Sequence, residues 1–105
     1  MEAALNNFHL MKADGKMCIL GDMGELGEAS MEEHQKVVDL LKKYDFERVW
    51  LVGKEFAKTE HSADYELFQN VEAVKQRIAT DKPQGHTILI KGSNSTKLYQ
   101  IPELL

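Results

Sequence analysis

Short apolar runs alternate with longer amphipathic segments along the chain, and this alternation limits the possible folds more than any other feature. Each run is too short to be a helix, and the longer ones lack the polar alternation of a half-exposed strand. Such runs are typical of strands that a sheet buries on both faces. They lie at residues 16–20, 48–52 and 87–90, and a shorter run at 65–68 predicts a further strand.

Amphipathic segments between these runs predict the helices. The predicted helices cover residues 2–11, a segment from Ser30 to about Leu41, residues 71–79 and a short stretch near 97–105. Ser30 and Glu33 have the spacing of a capping box, and Asn70 is a suitable N-cap for the third helix. The polar segment 54–64 is predicted to be mostly loop, with one helical turn near Phe56.

This order of elements predicts an α/β fold built from βαβ units. Because such crossovers are right-handed, the expected product is a Rossmann-like, mostly parallel sheet with helices on both faces. A length of 105 residues fits a single domain, 1–105. The chain starts on a helix with no strand before it, so we expect it to be a fragment of a longer protein.

Charge and composition exclude several classes of function. The chain has 13 Lys and Arg against 17 Asp and Glu, a net charge of −4, which argues against binding nucleic acid or an anionic membrane. Its longest apolar runs are far shorter than the roughly 20 residues that span a bilayer. A single cysteine, Cys18, fits a reducing compartment such as the cytoplasm. The four scattered histidines have no zinc-site spacing, so no metal site is predicted.

Two loops follow predicted strands, at the edge where open parallel sheets bind ligands. The first, residues 21–27, is rich in glycine and contains Asp22 and Glu25. It has neither a dinucleotide-binding spacing nor a P-loop, and its acidity suits an ammonium group, a metal-bound ligand or a basic side chain of another domain. The alternative is an ordinary surface loop whose glycines serve its turns.

The second loop begins with Lys91, Gly92 and Ser93. A lysine and the N–H groups of a following helix could form an anion site, although an N-cap beside a solvated lysine has the same pattern. His34 lies near the start of the Ser30 helix, where it could accept a hydrogen bond from the first loop or contact a ligand. The alternative is a half-buried histidine whose hydrogen bonds are simply satisfied.

No complete catalytic constellation is present in the sequence. Serine–histidine–aspartate order, paired catalytic carboxylates and metal motifs are all missing. The pattern therefore indicates an α/β domain that forms the ligand-binding part of a larger enzyme. A non-enzymatic regulatory or protein-interaction module is the alternative.

Residues 18–27, with the sequence CILGDMGELG, and the following Ser30 and His34 resemble the C-terminal domain of the Mur ligases. The resemblance is greatest to the members that add D-alanyl-D-alanine. Val52-Gly53 and residues 91–93 match two further family motifs, in the same order and with similar spacing. Asn94 stands where the family commonly has arginine, and the segment expected to supply the family's first strand is absent.

The resemblance implies that the whole enzyme uses ATP and magnesium to activate the carboxylate of a UDP-muramoyl-tripeptide as an acyl phosphate. The amine of D-alanyl-D-alanine then attacks the carbonyl carbon of the acyl phosphate, and phosphate leaves as the new amide bond of the UDP-muramoyl-pentapeptide forms. The P-loop and magnesium ligands lie in the central domain, so this fragment is expected to be inactive alone. Its partners are the central and N-terminal domains of the same ligase.

The resemblance also implies that this domain closes over the nucleotide and the amino substrate. The candidate closing residues are Gly21, Asp22, Met23, Glu25, Leu26, Gly27, His34, Lys91, Gly92 and Ser93. D-alanyl-D-alanine is a zwitterion and needs one negative and one positive partner. Asp22 or Glu25, together with Lys91, is the pair that we expect to provide them.

Overall fold

A computed structural model describes residues 2–12, 15–23, 30–44, 46–61, 64–92 and 97–102. Helices and strands alternate along these ranges as the sequence predicts. They are α1 (Glu2–Leu10), β1 (Lys16–Gly21), α2 (Ser30–Tyr44), β2 (Arg48–Val52), α3 (Lys54–Ala57), β3 (Glu66–Phe68), α4 (Val71–Thr80) and β4 (Thr87–Lys91). A 3₁₀ turn follows at Leu98–Gln100. No helix in the described ranges is long and apolar enough to cross a membrane.

The four strands form one parallel sheet in the order β3-β2-β1-β4. Cys18 in the central strand β1 lies opposite Val49 on one side and Leu89 on the other. The chain steps from β1 to β2 to β3 in one direction and then crosses to β4 on the far side. All four strands therefore end at the same edge, which we call the carboxyl edge, and the predicted Rossmann-like sheet is confirmed.

Alternating side chains of the central strands divide the core into two layers. Cys18 and Leu20 face the layer that contains α1, α2 and α3. Met17 and Ile19 face the opposite layer, which contains α4 and the 3₁₀ turn. Helices thus cover both faces of the sheet. Because side chains on both faces are buried, the sequences of β1 and β2 are continuous apolar runs.

Strand β4 differs from the prediction of a buried strand. The side chains of Ile88, Leu89 and Ile90 are all partly exposed. The physical reason is position, because β4 lies at an edge of the described sheet and has β1 as its strand neighbour there. An apolar run does not reveal whether its strand is central or at an edge.

The helix starts follow the predictions in part. Asn70 caps α4, and its side chain accepts a hydrogen bond from the Ala73 N–H at 3.0 Å. The expected capping box at Ser30 is not formed. Ser30 already belongs to α2, its hydroxyl donates to Glu55 at 3.3 Å, and Glu33 pairs with Lys36.

The last helix is shorter than predicted within the described residues. It is a 3₁₀ turn, which Leu98 and Ile101 anchor by packing into the layer beneath α4. Residues 103–105, which the prediction included, lie outside the described ranges.

Candidate functional site

Asp22, the first residue after β1, connects the ends of two strands at the carboxyl edge. Its N–H donates to the Val52 carbonyl at 2.9 Å. Its two carboxylate oxygens accept from the N–H groups of Glu55 and Phe56, at 3.0 and 3.1 Å. These are N–H groups of the first turn of α3, which lack partners within the helix. Asp22 therefore caps a helix that lies far from it in sequence.

Gly53, which connects β2 to α3, makes this cap possible. Its backbone has φ 116° and ψ 163°, a combination that residues other than glycine essentially avoid. A Cβ atom at this position would also collide with the Asp22 carboxylate. The Val52-Gly53 motif is therefore explained by close approach of the Asp22 side chain to the backbone.

His34 is fully buried and fixes the residue that follows Asp22. Its Nε2 accepts a hydrogen bond from the Met23 N–H at 2.9 Å, and its Nδ1 lies 2.6 Å from the Ser30 carbonyl. This pattern requires the neutral tautomer with the proton on Nδ1. His34 therefore accepts a hydrogen bond from the loop, one of the two possibilities that the sequence raised. The ring also packs edge-on against Phe56, with centroids 4.7 Å apart.

A cavity of about 440 Å³ opens at the carboxyl edge, beside β2 and the start of α4. Its volume lies in the range of roughly 300–1,000 Å³ that is common for small-molecule sites. The lining residues are Asp22, Val52, Gly53, Lys54, Gln69, Asn70, Val71, Glu72 and Lys97. The cavity lies next to the Asp22 cap.

Four charged side chains line this cavity, and two of them already have partners within the protein. The carboxylate of Asp22 is already hydrogen-bonded to α3, and that of Glu72 forms an ion pair with Lys75 at 3.4 Å. Neither Lys54 nor Lys97 forms an ion pair with any residue that the structure describes. The N-terminal end of α4, which starts at Val71, adds partial positive charge to the same space. Among the described residues of the lining, the charged groups without an ion-pair or hydrogen-bond partner are therefore the two lysines.

The structure brings together part of the predicted site. Gly21, Asp22 and Met23 lie beside His34, with 3.9 Å between the Asp22 Oδ1 and the His34 Nε2. Lys91 lies opposite Leu20 in the neighbouring strand, but it is exposed and does not line the cavity. Gly92 is also exposed. The predicted residues Glu25, Leu26, Gly27 and Ser93 lie outside the described ranges.

Sequence reasoning did not single out the cavity's lysines or Gln69. The sequence predicts that Lys54 lies in a polar loop, and Lys97 marks only the approximate start of the predicted last helix. A signal for Lys54 was present, because it directly follows the glycine that ends β2 and so had to lie at the carboxyl edge. Lys97 carried no such signal, since its place depends on how Leu98 and Ile101 pack.

Cys18 has no role at this edge. It is fully buried within β1, and burial raises the pKa of its thiol to about 12. A thiol that stays protonated at neutral pH is a poor nucleophile. The described residues also contain no group of three or more His, Cys, Asp or Glu side chains placed to hold a metal ion.

A parallel sheet with helices on both faces and a cavity at its carboxyl edge is the architecture in which open α/β domains commonly bind ligands. Comparison with known proteins makes this class more specific. Residues 1–94 match the family model described as "Mur ligase, glutamate ligase domain". The chain belongs to this family.

Curated relatives of the chain carry the same name. A UDP-N-acetylmuramoyl-tripeptide–D-alanyl-D-alanine ligase of Treponema pallidum is 30% identical and matches 100% of this chain but 24% of its own length. The protein of that name in Rickettsia prowazekii is 34% identical, over 96% of this chain and 23% of its own. The chain thus spans about a quarter of the length of these relatives.

Solved structures agree with the family assignment. MurF from Acinetobacter baumannii superimposes with a TM-score of 0.74 at 28% identity, covering 99% of this chain and 24% of that one. MurF ligase from Thermotoga maritima, solved in complex with ADP, has a TM-score of 0.75 at 22% identity, covering 98% of this chain and 24% of that one. The second likeness supports the fold alone.

Proposed function

We propose that residues 1–105 form the C-terminal domain of a three-domain ligase that adds D-alanyl-D-alanine to a UDP-muramoyl-tripeptide in cell-wall synthesis. The observation that carries this proposal is the match of nearly the entire chain to relatives named for that reaction. The ligase would work in the cytoplasm, where its nucleotide-linked substrates are made. Its central and N-terminal domains are the partners that this chain needs.

In this proposal the carboxyl edge faces the central domain. Closure of one domain over another positions reactants and excludes water from a reactive intermediate. The cap formed by Asp22 and the contact between His34 and Met23 hold the beginning of the glycine-rich loop against α3. The loop residues Glu25, Leu26 and Gly27, and the turn of Lys91, Gly92 and Ser93, would complete the closing surface.

The whole ligase, rather than this chain alone, would use ATP and magnesium. The metal would neutralise the phosphate charge that develops while the tripeptide carboxylate is activated. Its ligands are expected in the central domain. The contribution of this chain is to bind and orient the amino substrate and to exclude water.

A chimera tests this function directly. The chain replaces the matching segment of the Rickettsia prowazekii ligase, and phosphate release is measured with ATP, magnesium, UDP-muramoyl-tripeptide and D-alanyl-D-alanine. We expect release that requires both the tripeptide and the dipeptide. The control is the same ligase with that segment deleted, which should be inactive because the amino substrate has no closing domain.

Circular dichroism and a cooperative melt establish that the chimera is folded. A folded chimera that releases phosphate no faster than the deleted ligase contradicts the proposed function. Release that does not depend on D-alanyl-D-alanine contradicts the proposed substrate and leaves only the family assignment.

A further inference from the structure

We propose that strand β4 is a self-association surface, through which two copies of this chain join their sheets edge to edge. Strand β4 (Thr87–Lys91) lies at one edge of the described sheet, and β1 is its strand neighbour there. The inference goes beyond the proposed function and does not depend on it, because it rests on the backbone and the apolar side chains of this strand. The partner that it identifies is a second copy of the chain.

The backbone of β4 directs hydrogen-bonding groups away from the sheet. The Thr87 N–H donates to the Gly15 carbonyl at 3.1 Å, so the backbone groups of Thr87 point towards β1. Because successive residues of a strand point these groups to opposite sides, those of Ile88 and Ile90 point away from β1. Among the described residues, none bonds to these outward groups. The edge therefore presents two N–H donors and two C=O acceptors to a further strand.

Strand β4 also lacks the features by which proteins usually block an exposed edge. Short length, charged side chains and proline are such features. Residues 87–90 contain neither charge nor proline, and their apolar side chains are all partly exposed. The opposite edge strand, β3, has only three residues, and its Glu66 forms an ion pair with Arg77 at 2.8 Å. Of the two edges of the described sheet, β4 is therefore the one that favours pairing.

Antiparallel pairing of two β4 strands about Leu89 satisfies all of these outward groups. In that register Ile88 lies opposite Ile90 of the second copy, and both residues point their backbone groups outwards. Each such pair exchanges two hydrogen bonds, and the twofold symmetry produces the pair twice. Leu89 then lies opposite Leu89 of the second copy, in a pair without hydrogen bonds, whose Cα atoms are about 4.5 Å apart.

The side chains of β4 are self-complementary in the same register. Leu89 packs against the layer that contains α1, α2 and α3, whereas Ile88 and Ile90 pack against the opposite layer. A strand that pairs here has to be apolar on both faces, and a second β4 meets that condition residue by residue. Lys91, the charged residue of the strand, lies opposite Thr87 of the second copy, so no like charges face each other.

Sedimentation equilibrium of the chain tests the proposal. A short strand pair forms a small interface, so we expect a dissociation constant on the order of 100 μM. From about 10 μM to about 1 mM chain, the average mass should rise from near 12.0 kDa towards twice that value and stop there, because a twofold pair is closed. A chain that stays monomeric at 1 mM leaves the edge to another occupant, such as a strand from the rest of a longer protein, and overturns the proposal. A mass that keeps rising beyond the dimer also overturns it.

Amide hydrogen exchange locates the pairing in the unmodified chain. The amides of Ile88 and Ile90 should exchange about fourfold more slowly at 1 mM than at 10 μM, the change in monomer fraction for a dissociation constant of about 100 μM. The Leu89 amide points towards β1 and should exchange at the same rate at both concentrations. Dimers without this protection of Ile88 and Ile90 would form elsewhere on the molecule, which overturns the assignment to β4.

A charge swap at Leu89 tests the register. Leu89→Lys and Leu89→Glu each bring like charges together across the pair, and each should weaken dimerisation at least about tenfold. An equimolar mixture of the two variants pairs opposite charges and should restore dimers to within about tenfold of the native affinity. Leu67→Lys is the matched control, because Leu67 is 43% exposed in the other edge strand. It should leave dimerisation unchanged.

Circular dichroism and a cooperative melt establish that the variants are folded. Folded Leu89→Lys and Leu89→Glu chains that dimerise as tightly as the native chain overturn the assignment to β4. Dimerisation that Leu67→Lys abolishes reassigns the pairing to β3 and has the same consequence. If a Leu89 variant does not fold, Ile90→Pro replaces it, since proline is tolerated where an edge-strand N–H points outwards. This change removes one outward donor, and dimers as tight as the native ones would contradict the proposed pairing.

Discussion

Replacement of Gly53 by alanine should be among the most damaging single-methyl changes in this chain. The backbone at φ 116° and ψ 163° lies in a region that costs a non-glycine residue about 1–3 kcal/mol. The new Cβ also displaces the Asp22 carboxylate from the N–H groups of Glu55 and Phe56. Each hydrogen bond to a charged group contributes about 1.5–3 kcal/mol, so loss of the two bonds costs about 3–6 kcal/mol. With the backbone strain, the total loss is about 4–9 kcal/mol.

Gly85→Ala is the matched control for this change. Gly85 also has a positive φ, 74°, but apart from its two chain neighbours no atom of the described residues lies within 4 Å of the position that its Cβ would take. Its substitution should cost about 1–2 kcal/mol, from the left-handed backbone alone. The difference between the two alanine variants therefore isolates the collision with Asp22.

Urea denaturation at 25 °C measures both free energies of unfolding. A domain of this length has a stability of about 5–15 kcal/mol, so Gly53→Ala should be close to the limit of folding. In an Asp22→Ala background the collision is gone, and Gly53→Ala should cost only the backbone strain of about 1–3 kcal/mol. If Gly53→Ala and Gly85→Ala lower stability equally, the account of Asp22 and Gly53 is wrong.

Three further changes test other parts of the structure. Asn70→Ala removes the cap of α4 and should cost about 1 kcal/mol in urea denaturation, whereas Asn70→Asp should keep most of it. His34→Leu leaves the Met23 N–H without its acceptor, so stability should fall by about 1–3 kcal/mol and hydrogen exchange of that amide should accelerate. His34→Gln, which keeps an acceptor, should do less harm. Burial raises the pKa of the Cys18 thiol from 9.0 to about 12, so the protonated thiol stabilises the fold below pH 9 and this contribution is lost as pH rises. Between pH 8 and 10 the native chain should therefore lose about 1 kcal/mol more stability than Cys18→Ala.

Each of these has a result that would contradict it. An Asn70→Ala variant as stable as the native chain would show that the cap is not energetically significant. Unchanged exchange at Met23 in His34→Leu would mean that the loop does not depend on the histidine. Parallel pH curves for the native chain and Cys18→Ala would mean that the thiol is not shielded from water.

Much of the fold could be predicted because periodicity is a local property. The apolar run at 48–52 and the stripe of Val71, Val74 and Ile78 each fix an element without knowledge of its neighbours. Strand β4 shows the limit of this reasoning. Its apolar run matches that of a central strand, and its partial exposure depends on which strands lie beside it.

The site could be located from the sequence but not resolved into contacts. Strand ends and family motifs placed Asp22 and His34 at one edge, and the structure agrees. The partner of the Asp22 carboxylate lies 33 positions later, at Glu55, and no pattern in the sequence connects the two. Lys97 reaches the cavity because Leu98 packs into the core. That packing depends on tertiary structure, so the spacing of residues in the sequence does not predict it.

The most direct test of the account is an amide nuclear magnetic resonance titration of the chain, first with magnesium-ADP and then with D-alanyl-D-alanine. We predict saturable shifts with the dipeptide that centre on Gly53, Lys54 and Lys97 at the carboxyl edge. They should leave the opposite edge of the sheet, around Gly15 and Gly85, unchanged. Dipeptide shifts that are absent, or that cluster away from the carboxyl edge, would contradict the claim that this edge receives the amino substrate.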